Sequence, residues 1–405
     1  MAEIDGMPIV GDPGGRACGG AFSLSAASPA SEVVELDRGW IVEVRGGSRV
    51  AVARGATGAQ YEETRAEALR RAHQGLDLVC MKGTADLQIV RASEEHLTWW
   101  TAEEGVVLRA TSIGTLTASV PPIKVVVTDP LGNVRPDPPP PQLLWHESFG
   151  YFRAAQVTDD LFDAFRNLYL AVESILSTIA PMRSPKENET RWLKRALRAA
   201  DALTSLAAFA PKGVADPPGA ISNDLRAVRN AVFHAKSNRL HFAPHDWSHR
   251  TSVLEKLKRM ARMYLRLVKA QLGFARPSSG LFASGVRLLT EHLDAGLVIH
   301  VTDDVTPFDP ADTTVNPGGG HVVSLPTRPA PELDQPFLRS FIGRAPVTQL
   351  CDLTHISRIA STYNGQPTTA GILEGRLTLT GIDYFEAHMG IQFRNKQQAR
   401  YLYNT

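Results

Sequence analysis

The sequence has few cysteines and no long apolar run. Cys18, Cys80 and Cys351 lie far apart and form no C-x-x-C pair, which argues against a disulfide framework and a zinc finger. No apolar stretch reaches the roughly 18 to 20 residues that span a bilayer, and the N-terminus lacks the basic start and apolar segment of a secretory signal. We therefore expect a cytoplasmic protein with no membrane partner.

Motifs for nucleotide or metal chemistry are also missing. The chain contains no Walker or Rossmann glycine loop, no G-x-S-x-G and no H-E-x-x-H. His241, His245 and His249 recur every four residues, but Pro244 interrupts any helix that would align them. The four aspartates between 303 and 312 lack the spacing of a calcium loop. The sequence predicts no cofactor and no metal.

Net charge is nearly absent, yet the charges are unevenly distributed. The 405 residues contain 43 Lys and Arg against 42 Asp and Glu. Residues 151–275 hold 20 basic and 11 acidic side chains, a net of +9, and the other 280 residues hold 23 and 31, a net of −8. A basic segment is typical of a protein with an anionic partner such as RNA. A solvated helical surface explains the same excess.

Changes of sequence texture predict an α+β multidomain protein. Gly, Ala, Ser and Pro dominate the start, short alternating runs follow, and a run of prolines precedes a segment with helical periodicity. The predicted parts are a flexible N-terminal segment (1–32), a β-rich domain with one helix at 61–74 (33–134), a Pro-rich linker (135–147), a helical domain (148–276) and a mixed α/β C-terminal domain (277–405).

The helical domain is predicted to be a four-helix bundle. Its apolar residues recur at helical spacing in four stretches, at about 161–179, 190–209, 222–236 and 251–272. In the C-terminal domain, the spacing predicts helices at 331–343 and 383–403, beside strands such as 375–382. The fold class expected is therefore a central all-α bundle between a β-rich and a mixed domain.

The third predicted helix carries the candidate chemistry. A helical wheel with about 100° per residue places four apolar residues on the core face: Leu225, Val228, Val232 and Ala235. Arg226, Asn230 and His234 lie on the opposite side, with Arg229 and Phe233 at its flank. This outer face is either merely solvated or a contact surface. The exposed Phe233 among polar groups favours a contact, with Phe233 and Arg226 at a dimer interface.

The run from Arg229 to His234 resembles the Arg-x4-His motif of the HEPN superfamily, and Asn230 follows the arginine as it often does there. Arg91–His96 and Arg287–His292 match the bare spacing too, so the assignment depends on the helical context. The run LFDAFRNLYLAVESILS is similar to a first HEPN helix, with Glu173 as its inward or semi-buried acid. The wider layout is similar to MauJ-like proteins, a label of gene neighbourhood that implies no chemistry.

The HEPN resemblance implies two functions. Many members are metal-independent ribonucleases whose dimers bring two motifs together. Here His234 would transfer protons, Arg229 would stabilise charge at phosphorus and Asn230 would orient the phosphate or His234. Other members only bind or scaffold.

Four residues are expected to contact RNA: Arg226, Lys236, Arg239 and His241. The partners expected are RNA, a second copy of the chain, and an antitoxin-like or regulatory protein, in stress or phage defence.

Overall fold

The architecture is that of a computed structural model. It describes residues 1–11, 17–56, 58–117, 130–131, 144–184, 186–233, 241–244, 246–274, 283–309, 311–335 and 337–394. The predicted Pro-rich linker lies outside the described residues except for 144–147. The chain divides into two compact units. The strand unit combines residues 1–116 with 282–394, and the helical unit falls within 117–281.

The N-terminal part of the strand unit is made of strands and one helix. These are β1 (Ala2–Ile4), β2 (Met7–Val10), β3 (Cys18–Ser23), β4 (Glu32–Glu35), β5 (Ile41–Val44), β6 (Val50–Gly55), α1 (Tyr61–Met81), β7 (Glu95–Ala102) and β8 (Gly105–Thr117).

The helical unit follows. Its helices are α2 (Ser148–Val157), α3 (Leu161–Ile179), α4 (Glu189–Leu203), α5 (Pro217–Phe233) and α6 (Trp247–Leu272).

The chain then returns to the strand unit. Its remaining elements are α7 (Ala283–Thr290), β9 (Leu297–Thr302), β10 (Val322–Leu325), β11 (Thr327–Pro329), β12 (Leu338–Pro346), β13 (Ile356–Tyr363), β14 (Gln366–Thr378) and β15 (Tyr384–Arg394).

Two sheets build the strand unit, and both take strands from the two ends of the chain. One has the order β10-β9-β13-β14-β1-β2, and the other β11-β12-β15-β8-β7-β3-β6-β5-β4. Their side chains share one apolar core, in which Ile4 and Ile359 from the first sheet meet Trp99 and Phe385 from the second. Helix α1 packs on the larger sheet over β3, β5, β6 and β7.

The N-terminal segment is ordered into strands, although its composition predicts a loose chain. In β1, Glu3 pairs with Thr378 of β14, almost the whole length of the chain away. Ala2, Ile4 and Met7 are buried. The small residues of 18–21 allow close packing in β3, where a Cβ on Gly19 would lie 2.2 Å from the Ala53 carbonyl oxygen.

The helices of the helical unit share a second apolar core. Phe165 and Leu168 of α3 pack there with Trp192 of α4 and Tyr264 of α6. Side chains cap the helix starts, because the first backbone N–H groups have no partner within the helix. Asp160 Oδ1 accepts from Asp163 N at 2.7 Å, and Asn188 Oδ1 accepts from Thr190 N at 3.0 Å.

The predicted fold class is wrong. The protein is α+β and rich in strands, and the segments before and after the helices are not two separate flanking domains, because their strands alternate within both sheets. A central four-helix bundle is not what forms either: five helices, α2 to α6, lie in the described part of 144–274. Sequence periodicity detects local elements, but long-range strand pairing has no local signal.

Two predicted C-terminal helices are also replaced by strands. The stretch 331–343 contains a short 3-10 turn and then β12, and 383–394 forms β15. Strand β15 is buried on both faces, with only Tyr384 and Ile391 partly exposed. It therefore lacks the apolar–polar alternation by which a strand is recognised. The rest of the second predicted helix, 395–403, lies outside the described residues.

Among the described residues, no helix is both long and apolar enough to cross a bilayer.

Acid is predicted to destabilise the strand unit through His388. This side chain is 6% exposed in β15, and burial, with Arg109 nearby, lowers its pKa from 6.5 to about 3. Below about pH 6.5 this histidine binds a proton in the unfolded chain, whereas in the folded chain it stays neutral until the pH approaches 3. The free energy of unfolding is therefore unaffected by His388 above about pH 6.5, and it decreases as the pH falls towards 3. Urea unfolding at pH 7 and pH 5 should show that the free energy of unfolding decreases less between these two pH values in His388→Leu than in the wild type.

The control for this prediction is Ile391→Leu, at a partly exposed position of the same strand. It should keep the wild-type pH dependence, because it changes no titratable group. Parallel pH profiles for the wild type and His388→Leu would contradict the role of His388.

Candidate active site

Helix α5 places the predicted site residues on one side of the helical unit. Asp216 Oδ1 accepts from Gly219 N at 3.2 Å at its start, where prolines 217 and 218 fit because no helical N–H is needed there. Leu225, Val228 and Val232 are buried, as the wheel predicts. The wheel also places Arg229 at the flank, and its guanidinium is half-buried beside α3 and α4.

Arg229 is held by one carboxylate and two aromatic rings. Its Nη1 lies 2.7 Å from Glu189 Oε1 at the start of α4. Its guanidinium carbon lies 5.5 Å from the centre of the Tyr169 ring and 5.8 Å from that of Phe233. Burial alone would lower the pKa of Arg229, but Tyr169 and Glu189 outweigh it and raise that pKa. Arg229 therefore stays protonated, and Glu189 balances its positive charge.

Glu173, one turn after Tyr169 on α3, completes the cluster. Burial raises its pKa to about 7, and repulsion from Glu189 adds to this, while Arg229 opposes it. Within the cluster, the neighbouring Glu189 and Tyr169 act on the pKa of Glu173 in opposite directions, since Glu189 raises it and the Tyr169 hydroxyl lowers it. Burial and the charge of Glu173 also raise the pKa of Tyr169, which stays a neutral donor. The cluster thus holds a carboxyl that exchanges its proton near neutral pH.

Phe233 extends the cluster to the surface. Its ring is 39% exposed and meets the Tyr169 ring edge-on at 6.4 Å. The Arg166 guanidinium lies 5.7 Å from the Phe233 ring centre, and its Nη1 lies 2.7 Å from Asp163 Oδ1. Phe233 is thus between two arginines, an arrangement that cation–π attraction stabilises. We call Arg166, Tyr169, Glu173, Glu189, Arg229 and Phe233 the arginine–carboxyl cluster.

The remaining predicted site residues are only partly placed. Arg226 and Asn230 are exposed on α5, one turn apart, and His241 is half-buried. His234, Lys236 and Arg239 lie outside the described residues. The roles assigned to these residues stay predictions.

Three members of the cluster cannot be recognised as site residues in the sequence. Tyr169 falls on the apolar period of α3, which predicts a core residue, and Arg166 and Glu189 belong to no motif. The only local signal for Glu189 is its position in the first turn of α4. A carboxylate is favourable there because the N-terminal end of a helix carries a partial positive charge. Its pairing with Arg229, 40 positions later, comes from the packing of α4 against α5.

The other two Arg-x4-His matches have structural roles. His96 is buried and its Nε2 lies 2.9 Å from the Tyr61 hydroxyl, while Arg91 pairs with Glu95 at 2.5 Å. His292 packs edge-on against Tyr363, and Arg287 pairs with Glu291 at 3.4 Å.

Metal-ligand side chains do not converge in the described ranges. No three His, Cys, Asp or Glu side chains among them are grouped to hold an ion. His249 instead accepts from Ala243 N at its Nδ1, at 3.1 Å, and His245 lies outside those ranges.

Comparisons with protein-family models, curated proteins and solved structures found no match for this chain.

Proposed function

We propose that the chain is a metal-independent endoribonuclease of the HEPN type, acting on RNA in the cytoplasm. The observation that carries this proposal is the cluster in which a proton-exchanging carboxyl, Glu173, lies beside the fixed cation Arg229 on the helical unit. The +9 charge of 151–275 supports an RNA substrate. We place the activity in stress or phage defence, with an antitoxin-like or regulatory protein as a further partner.

Cleavage needs a base, an acid and a cation. The ribose 2′-oxygen attacks phosphorus, the bond from phosphorus to the 5′-oxygen breaks, and a 2′,3′-cyclic phosphate forms. A base takes the 2′ proton and an acid returns one to the 5′-oxygen. We assign proton transfer to Glu173 and His234, charge stabilisation to Arg229, and phosphate orientation to Asn230.

Glu189 holds Arg229 in an ion pair. Their 2.7 Å ion pair neutralises the guanidinium that a phosphate would need. A phosphodiester must therefore displace Glu189, which keeps Arg229 positioned until substrate arrives. Arg229 is accessible to this exchange because its side chain is 31% exposed.

The cleavage prediction concerns Arg229, Glu173 and His234. His234→Ala or Glu173→Gln should reduce RNA cleavage by roughly 10²- to 10⁴-fold, the range for loss of a general acid or base. Arg229→Ala should also disable cleavage, and Arg229→Lys should not fully restore it, because lysine lacks the planar two-pronged donor.

The wild type should show three further properties. Its cleavage products should carry 2′,3′-cyclic phosphates, cleavage should persist in EDTA, and RNA binding should weaken steeply with salt.

The matched control is Arg287→Ala, at a chance copy of the motif in which the arginine is exposed and pairs with Glu291. This variant should cleave like the wild type. If folded wild type and His234→Ala cleave RNA at the same rate, His234 has no part in the mechanism. If the folded wild type does not cleave RNA at all, the proposal that the protein is an enzyme is wrong.

The second candidate is a non-catalytic interaction protein that uses the same face of α5. The observation favouring it is that Arg229 already has an ion-pair partner in Glu189. Arg226 and Phe233 on the same helix are exposed, so a basic and an aromatic side chain are available at the surface. Such a pair suits a contact surface, because aromatic and arginine side chains are enriched at interfaces.

Both candidates predict a two-fold dimer through α5. A two-fold contact places the same residues on both sides, so Phe233→Asp should introduce two facing charges and shift the protein to monomers. Light scattering at micromolar concentration measures this directly, with Leu203→Asp, an exposed apolar residue on α4, as the control. A monomeric wild type would contradict both the dimer and a site composed of two copies.

A further inference from the structure

An open hollow of about 510 Å³ lies next to the arginine–carboxyl cluster, between the start of α2 and the second half of α3. Its wall includes Trp145, Glu147, Tyr151, Glu173, Ser174 and Ser177. Glu173 belongs to both the hollow and the cluster, so the two are adjacent parts of one surface.

The segment before α2 is fixed by a chain of hydrogen bonds. His146 Nε2 lies 2.9 Å from Thr178 Oγ1, and His146 Nδ1 lies 2.8 Å from Ser148 Oγ. Ser148 Oγ lies 2.9 Å from the hydroxyl of Tyr264 in the core. These side-chain bonds attach His146 and Ser148 to α3 and α6. Trp145 directly precedes them in the chain, and its residue is 80% exposed.

An exposed indole in a fixed segment suits the face of a nucleobase. Every base has a π-face, and stacking on an aromatic side chain is the usual way that proteins hold unpaired bases. Tyr151 adds a second ring to the wall of the hollow.

The polar wall selects the edge of the base. Glu147 and Glu173 are hydrogen-bond acceptors when ionised, and the serines accept or donate. A phosphate would be repelled by these carboxylates, whereas a base edge that carries N–H donors would be attracted. Guanine presents N1–H and the N2 amino group side by side, which matches a carboxylate with two acceptor oxygens.

We propose that this hollow binds a guanine base of single-stranded RNA, stacked on Trp145 and hydrogen-bonded through N1–H and N2–H to Glu147. The inference rests on the proposed function, since it makes the hollow the base subsite beside the phosphate site at Arg229. Glu173 belongs to both, so the base subsite and the site of proton transfer share this carboxyl.

The test uses uridine oligonucleotides that carry one guanosine, one adenosine or one inosine, with 2′-O-methyl riboses so that they cannot be cleaved. Fluorescence anisotropy measures their dissociation constants. The guanosine oligonucleotide should bind about tenfold or more tightly than the adenosine one, and inosine, which lacks the N2 amino group, should lie between them.

Three variants identify the contacts. Trp145→Ala should weaken guanosine binding by about tenfold, Trp145→Phe should retain most of it because a ring remains, and Glu147→Gln should remove the preference for guanosine over adenosine. Leu144→Ala is the matched control, because Leu144 is an exposed neighbour outside the hollow wall, and it should bind like the wild type.

The outcomes separate this inference from the proposed function. If the wild type binds RNA without preference for guanosine, and Trp145→Ala and Glu147→Gln change nothing, the hollow is not a base site while the ribonuclease proposal stands. If guanosine preference depends on Trp145 and Glu147 but no cleavable RNA is cut, the subsite stands and the enzyme proposal fails. Absence of RNA binding by the wild type overturns both.

Discussion

The candidate site depends on the ionisation of Glu173, a half-buried carboxyl that interacts with both Glu189 and Arg229. Burial is the main reason why its pKa rises to about 7, and repulsion from the Glu189 carboxylate adds to the rise. Arg229 compensates for the charge that remains on Glu189. The cluster therefore has a fixed cation and one carboxyl that exchanges its proton near neutral pH, which are two of the three groups that metal-free phosphodiester cleavage needs.

A second constraint is that each of the two sheets in the strand unit needs strands from both the N-terminal and the C-terminal part of the chain. Strand β1 pairs with β14, and β15 lies between β8 and β12, so neither end of the chain forms a complete sheet. The helical unit is inserted between these halves in sequence, and among the described residues its core is built from α2 to α6 and their connections. The arginine–carboxyl cluster takes all of its members from α3, α4 and α5.

The helices of the site could be predicted from the sequence far better than the sheets. Helix α3 begins and ends where its apolar period does, at Leu161 and Ile179, and the buried side of α5 follows the wheel. Strand β15 was missed because burial on both faces removes the alternation that marks a strand. The Glu189–Arg229 pair was missed because it joins two helices across the fold, and no spacing rule connects residues 40 positions apart.

Titration of Glu173 tests the account most directly. Nuclear magnetic resonance of selectively labelled glutamate carboxyl carbons, compared with Glu173→Gln to assign the signal, reports its pKa in the intact protein. The account predicts a midpoint near 7 in the wild type and a lower midpoint in Glu189→Gln, because the repulsion from Glu189 is removed, with no change in Glu187→Gln, whose carboxylate pairs with Arg195 at 2.9 Å. A wild-type midpoint at the ordinary glutamate value, or one that does not respond to Glu189→Gln, would contradict it.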